Sequence, residues 1–415
     1  VFIPIGNTPR DYAWGSLTGI SEALGTAPSG APEAELWLGA HPGSPARVLD
    51  PASVGAGTLA EWIAEHPEAA LAGVDHPEAA LAGVEGSVDP VSGAPRLPFL
   101  LKILAAGGPL SLQAHPSSER ARRRFVEEEE AGIPRDAADR NYKDPFHKPE
   151  LIYALSETFD ALCGFREPAD ARALLAELSG RAPAEEAAAI ARFARTLEGE
   201  PSEVLRGAVS WLLADGDRAE VAALVSAVVA ASAGDDRLET TTVRDLAESY
   251  PGDPGIVLSL LLNRVRLARG EVLYLPAGNI HAYLAGTGVE LMAASDNVLR
   301  GGLTPKHIDV PELVSVLEFS PLPVPYLPAE QAGPGVRVYR PDVPDFVLAV
   351  VEPESETPAR VALHGPAIAI ATEGSFSLEG AEGSVRVERG GSVFVTPSEG
   401  ALAVTGRGRL FVATV

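Results

Sequence analysis

The chain has 415 residues, 46% of them hydrophobic and 22% charged, which is enough apolar material for two or three domains around buried cores. Its formal net charge of −24 argues for no nucleic acid and no anionic membrane as partner, since both need a cationic face; a small anionic substrate remains open if a local basic patch holds it. The lone cysteine, Cys163, excludes an intramolecular disulfide, and its setting FDALCGF marks it as a packing residue.

The opening VFIPIGNTPRDYAWGS has no basic region followed by an apolar run, and no apolar stretch reaches the length of a membrane span. A cytoplasmic location is therefore expected. Residues 1 to about 115 read as short strands and turns with one helical excursion, through runs such as AELWLGAHP and RLPFLLKIL. Within them HPEAALAGVD at 66–75 is followed at once by HPEAALAGVE at 76–85. A single tandem copy is too little for a solenoid, so it reads as a local duplication in which His66 and His76 carry no chemistry. PLSLQAHPSS at 109–118 then alternates with period two, placing Ser111, Gln113 and His115 on one strand face and Leu110, Leu112 and Ala114 on the other. Such a polar face either meets solvent or lines a site.

From about 168 to 262 the pattern turns helical. Val221, Leu224, Val225, Val228 and Val229 form one buried stripe, and Leu205, Val209, Leu212 and Leu213 another. This block holds no histidine or lysine and is a poor place for a metal site. Strands resume at GEVLYLPAGNIHAYL (270–284) and GVELMAAS (288–295), and the tail from about 335 is nearly all short alternating strands with Gly-rich turns. GSVRVERGGSVFVTPSEG in the tail echoes ARGEVLYLPAGNIHAYL in rhythm, which predicts two sandwich or jelly-roll barrels in tandem, the second without the polar residues. The expected fold is mainly β with a helical insertion. Residues 1–165 and 266–330 form the first barrel, 166–265 an all-α insertion, and 331–415 a second β domain without a metal site. His364 in that tail stands alone and reads as structural.

His41, His115, His147, His281 and His307 remain as candidates, with no compact HExxH-type motif to order them. Gln113 and His115 lie two residues apart on one face, His281 leaves a strand with Tyr283 on the same side, and Glu150 starts the apolar run of DPFHKPELIYAL. Two imidazoles, a carboxylate and an amide oxygen make a borderline N/O donor set suited to Zn²⁺ before Fe²⁺ or Mn²⁺; the alternative is a set of separate solvated residues. VELMAASDNVLRGGLTPKHID adds Glu290, Asp296, Asn297, Arg300 and Lys306 around a Gly-Gly and a proline turn, where an arginine fork and a lysine point charge can hold a phosphate. Only four of the 33 basic residues are lysine, namely Lys102, Lys143, Lys148 and Lys306, and all fall in or beside these polar segments. In a chain that uses arginine for generic charge, they stand out.

LPFLLKILAAGGPLSLQAHPS, NYKDPFHKPELIYAL, LYLPAGNIHAYL and ELMAASDNVLRGGLTPKHID together resemble the type I mannose-6-phosphate isomerase (phosphomannose isomerase) family, zinc-dependent cupin enzymes, in ordered blocks over residues 7 to 313. The resemblance implies cupin barrels, one zinc per chain on Gln113, His115, Glu150 and His281, and an active-site arginine at Arg300. Trp14, Lys102, Ser111, Lys148, Tyr283, Glu290, Asp296 and Lys306 match other pocket positions. Gly301 departs from the alanine common in the family.

The implied reaction interconverts mannose 6-phosphate and fructose 6-phosphate by proton transfer through an enediol, with a sugar phosphate as the small-molecule partner. Glu290 is assigned to proton transfer, with Lys148, Asp296 and a zinc-bound water as rivals. Arg300 is assigned to charge stabilisation, and Ser111, Lys102 and Lys306 to the phosphate. Two alternatives stand beside this reading: a cupin metal oxygenase, and a sugar-phosphate-binding protein without catalysis. The oligomeric state stays open, with a monomer as the default.

Overall fold

The computed structural model describes residues 1–74, 93, 95–355 and 357–415; the second copy of the tandem repeat, with His76, lies outside them. The chain opens with strands β1 (Phe2–Gly6), β2 (Glu35–Leu38) and β3 (Arg47–Val48) and continues with β4 (Phe99–Ala106), β5 (Leu112–Ala114), β6 (Glu150–Ala154) and β7 (Thr158–Phe165). Helices then run from Pro168 to Leu258. After them come β8 (Leu262–Ala268), β9 (Val272–Leu275), β10 (His281–Ala293) and β11 (Leu299–Gly302). The tail supplies β12 (Glu330–Gly333), β13 (Val336–Tyr339), β14 (Val347–Val351), β15 (Ala359–Val361), β16 (Ala367–Glu379), β17 (Ser384–Glu388), β18 (Ser392–Val395) and β19 (Leu402–Thr414). The fold is mainly β with a helical block between the two halves of the first barrel.

β10 organises that barrel. Its first half pairs with β5 and β7, and its second half with β4 and β6. One strand thus belongs to both faces of the sandwich and must turn a corner between them. Gly286, at φ +123°, makes the turn; a Cβ there would lie 2.9 Å from Phe159. β19 in the second barrel has the same length and the same Gly-x-Gly, with Gly406 and Gly408 at φ +130° and +119°. The ArgGly turn before β9 and the ArgGly turn before β18 also match, with Gly270 and Gly390 both at positive φ.

Side-chain alternation along these strands follows from what covers each face. Leu101, Ile103, Leu151, Tyr153, Val289 and Leu291 point away from the first barrel's interior and form one core with Ile368, Ile370, Phe394 and Phe411 of the second. On the other sheet, Leu112, Ala114, Ala282 and Leu284 pack against the helices, in a core shared with Leu205, Val209, Val225 and Val228. Both outer faces are therefore buried, and the polar residues between them in sequence point into the barrel. Val229 and Leu213 sit only half-buried at the edge of the helical core.

Two local readings change. The 109–118 stretch forms ladder only over Leu112–Ala114, because the chain turns away at His115-Pro116 and starts a helix at Ser118. The second barrel is also not built from the tail alone: β1 pairs with β18, and β3 with β1, so residues 2–6 and 47–48 belong to its sheet. That barrel's interior is closed by Val336, Val351, Phe376, Val393, Val404 and Val412. In the first copy of the repeat, Pro67–Leu71 is a short helix with Ala70 and Leu71 buried.

Gly286→Val forces a branched side chain into a glycine-only conformation and against Phe159. It is expected to lower the unfolding free energy by about 3 kcal/mol, read from the midpoint of urea denaturation; an unchanged midpoint would show that the corner tolerates a side chain.

Candidate metal centre and substrate cavity

The site is assembled by sheet register. Gln113 stands opposite His281 on one side and Arg300 on the other, so amide, imidazole and guanidinium form a row across β10, β5 and β11. In the second sheet Glu290 is opposite Lys102, which is opposite Trp37, and Glu150 is opposite Met292. Directly opposed residues share a face, and the bent β10 turns both rows toward one interior. His115 follows the end of β5, where the turn lets its ring reach the same point.

There His115 Nε2 lies 3.3 Å from Glu150 Oε1, and His281 Nε2 lies 3.2 Å from Glu150 Oε2. All three side chains are about 1% exposed. Their ligand atoms fall within 4.8 Å of one another. The Gln113 amide nitrogen is 3.3 Å from His281 Nε2, and a half-turn of the amide presents its oxygen instead. His115 Nδ1 donates to the Asn297 carbonyl at 2.8 Å and His281 Nδ1 to the Asn279 carbonyl at 3.0 Å. With both Nδ1 positions protonated, the neutral rings turn Nε2 lone pairs toward the carboxylate.

Acceptors thus face acceptors. His115 Nε2 and Glu150 Oε2 are buried with no hydrogen-bond partner among the described residues. Burial pushes His115 down to about 4 against the pull of Glu150, so the ring is neutral near pH 7. Burial would raise Glu150, but Lys148, 2.7 Å from Oε1, holds it well below the usual carboxylate range. A divalent cation is what this geometry accommodates: two neutral imidazoles, one carboxylate and one amide are a borderline N/O set fitting Zn²⁺.

The cluster sits at the base of a cavity of about 550 Å³. All four lysines of the chain line it, together with Arg300. They divide into two groups. Lys102 donates to Glu290 at 2.9 Å and to Glu35 at 3.2 Å, and Lys148 is held by Glu150. Lys143, Arg300 and Lys306 make no ion pair among the described residues, and burial followed by the charges of Arg300 and Lys143 lowers Lys306. Glu290 is buried and raised by that burial, while Lys102 opposes. Tyr283 is likewise pushed well above its ordinary value by burial and by the Glu290 and Glu150 carboxylates.

The residues that the family resemblance assigned to the site line this cavity or its floor: Trp14, Lys102, Ser111, Gln113, Lys148, Glu150, Tyr283, Glu290, Asp296, Arg300 and Lys306 in the wall, with His115 and His281 at the metal cluster. Asp296 is half-exposed and 3.4 Å from His41 Nε2. His307 is exposed, and His147 faces the second barrel instead. Sequence reasoning passed over Glu35 and the Tyr12–Trp37 wall; His41 and Lys143, singled out there without a role, also line the cavity. Glu35 and Trp37 sit in a run whose apolar character hid the pairing.

A family model described as phosphomannose isomerase type I, catalytic domain, matches residues 2–168. The mannose-6-phosphate isomerase of Escherichia coli is 36% identical over 97% of both chains, and that of Homo sapiens is 32% identical over 95% of this chain and 93% of its own. Among solved structures, a zinc-bound mannose 6-phosphate isomerase superposes with a TM-score of 0.84 at 35% identity, covering 100% of this chain and 99% of its own. A variant phosphomannose isomerase from Salmonella typhimurium gives 0.85 at the same identity and coverage.

Replacing His281 or Gln113 by Ala removes one donor from the cluster. Zinc titrated into metal-stripped protein is expected to bind at least tenfold more weakly in each variant; wild-type affinity in both would dissolve the metal centre.

Proposed function

The chain belongs to the type I phosphomannose isomerase family, and from that premise we propose that it is a zinc-dependent isomerase of mannose 6-phosphate and fructose 6-phosphate. The observation that carries this reading is the pairing of a proton-free buried donor cluster with unpaired cations on one cavity. His115, Glu150, His281 and Gln113 would hold the zinc. When bound, zinc supplies a Lewis acid for the sugar oxygens.

Interconversion moves a proton between C2 and C1 through an enediol, so the chain must supply a base, a counter-charge and an anchor. Glu290 is our base: burial raises its proton affinity, and Lys102 holds the carboxylate in one orientation. Lys148 is engaged by Glu150, and Asp296 is half open to water, which makes both weaker claimants. Arg300, next to Gln113 in the ladder, is placed to meet negative charge as the enediolate forms. For the phosphate we assign Lys306, Lys143 and Ser111. Lys102 leaves that group, because its charge is already matched by two carboxylates. Trp14 and Tyr283 shape the sugar-binding wall.

We assign the protein a small sugar phosphate as substrate and a cytoplasmic setting; among the described residues no helix is long and apolar enough to cross a membrane. The helical block and second barrel back the sheets that hold the site. This reading needs no second chain.

A coupled assay with mannose 6-phosphate is expected to show turnover that a chelator abolishes and zinc restores. Tight sugar-phosphate binding without turnover at full metal occupancy would overturn the enzymatic reading. Arg300→Ala is expected to lower kcat by about 10²-fold or more with zinc retained; lost zinc would give Arg300 a structural role. Lys306→Ala is expected to raise KM by roughly tenfold, as for loss of one charged hydrogen bond; an unchanged KM would remove Lys306 from the phosphate site.

A further inference from the structure

Lys148, two residues ahead of Glu150 at the start of β6, is delivered by a segment with no ladder of its own: residues 143–149 lie between a helix and β6 in irregular backbone. Its shape has to come from tethers. Asn297, fully buried, supplies the first set: its Oδ1 accepts from Lys143 N at 2.8 Å, and its Nδ2 donates to the Asp144 and Phe146 carbonyls at 2.7 and 2.8 Å. Further on, the Pro149 carbonyl accepts from Ala293 N at 3.1 Å. Between these points lie His147 and Lys148.

His147 turns out of the first barrel. Its Nε2 is 2.8 Å from Asp345 Oδ2, and both residues are buried, at 7% and 5% exposure. Asp345 belongs to the turn between β13 and β14, in the second barrel. A carboxylate and an imidazole in a dry interface make a short, directional contact, which apolar packing cannot supply. We propose that Asp345 is a positioning residue: through His147 it fixes the segment that sets Lys148 against Glu150, so that the second barrel tunes the geometry of the metal centre in the first. The proposal rests on the reading of His115, Glu150 and His281 as metal ligands.

The route is short. Lys148 follows His147 directly, and its ammonium grips Glu150 Oε1 at 2.7 Å, on the carboxylate that faces both imidazoles. Without Asp345 the backbone at 147–148 loses one tether between those at Phe146 and Pro149, and the Lys148–Glu150 contact is held less firmly. The apolar core between the barrels involves other residues and survives.

The test measures zinc affinity of metal-stripped protein by competition with a chromogenic chelator, beside kcat and KM. Asp345→Ala is expected to weaken zinc about tenfold and to lower kcat with KM changed less than about threefold, and Asp345→Asn, which still accepts a hydrogen bond, to recover most of both. Tyr339→Phe removes another contact between the barrels, from the hydroxyl to the Gly270 carbonyl, and is expected to leave both values alone. Zinc affinity within twofold of wild type in Asp345→Ala overturns the proposal, as does an equal loss in Tyr339→Phe. Should Asp345→Ala fail to fold, His147→Phe with Asp345→Leu removes both ends of the contact together and carries the same expectation; wild-type zinc affinity there overturns it. A wild-type chain that binds zinc but does not isomerise the sugar would defeat the proposed activity while leaving this affinity test intact.

Discussion

The site depends on a burial that folding alone leaves incomplete. Glu150 is a carboxylate with almost no access to water, faced by two imidazoles whose only protons are committed to backbone carbonyls. Lys148 balances the charge from one side, yet the lone pairs on the other side remain unmatched. Buried polar atoms of this kind are normally satisfied. Their convergence from three separate strands and one turn is therefore the strongest physical statement in the fold, and the barrel around it reads as the means of holding them together.

The same requirement explains why the barrel is covered on both outer faces. A metal cluster tolerates little movement of its ligands, and strands exposed on one side would flex with solvent. Here one sheet is backed by the helices and the other by a second barrel, so the strands bearing Gln113, His281, Glu150 and Glu290 are clamped between two apolar cores. The second barrel keeps the corner strand with its Gly-x-Gly but fills its own interior with valine, alanine and leucine. It has the frame of a site without its chemistry, which is consistent with a supporting role.

Much of this was legible in the sequence. Strand alternation around Gln113 and Glu290, the helical stripe at Val221–Val228 and the rhythm shared by the two ArgGly turns are local signals, and local signals survive without coordinates. The ligand set was legible only in part: period-two spacing puts Gln113 and His115 on one face, but nothing in spacing says that Glu150 and His281 arrive at the same point, and there the resemblance to a family decided. What stayed hidden was non-local pairing. β1 joining a sheet made by the last 80 or so residues follows from register with β18, which no window of sequence displays. Likewise His147 stood among the candidate histidines; only the fold shows its ring meeting Asp345 nearly 200 residues away.

Charge allocation is the last element that the fold decides. By composition the chain is strongly acidic, and its surface field disfavours an approaching phosphate. The cavity reverses this locally, but not simply by accumulating cations. Lys102 and Lys148 are matched to carboxylates and act on protonation and orientation of Glu290 and Glu150. Among the described residues Lys143, Lys306 and Arg300 are left unmatched in the cavity wall, where an anion would complete them. A cation already neutralised by a buried carboxylate gains little from a phosphate, whereas an unmatched cation crowded by others gains most. The lysines that look equivalent in the sequence are thus of two kinds, one tuning the acid–base groups and the other waiting for the substrate's charge.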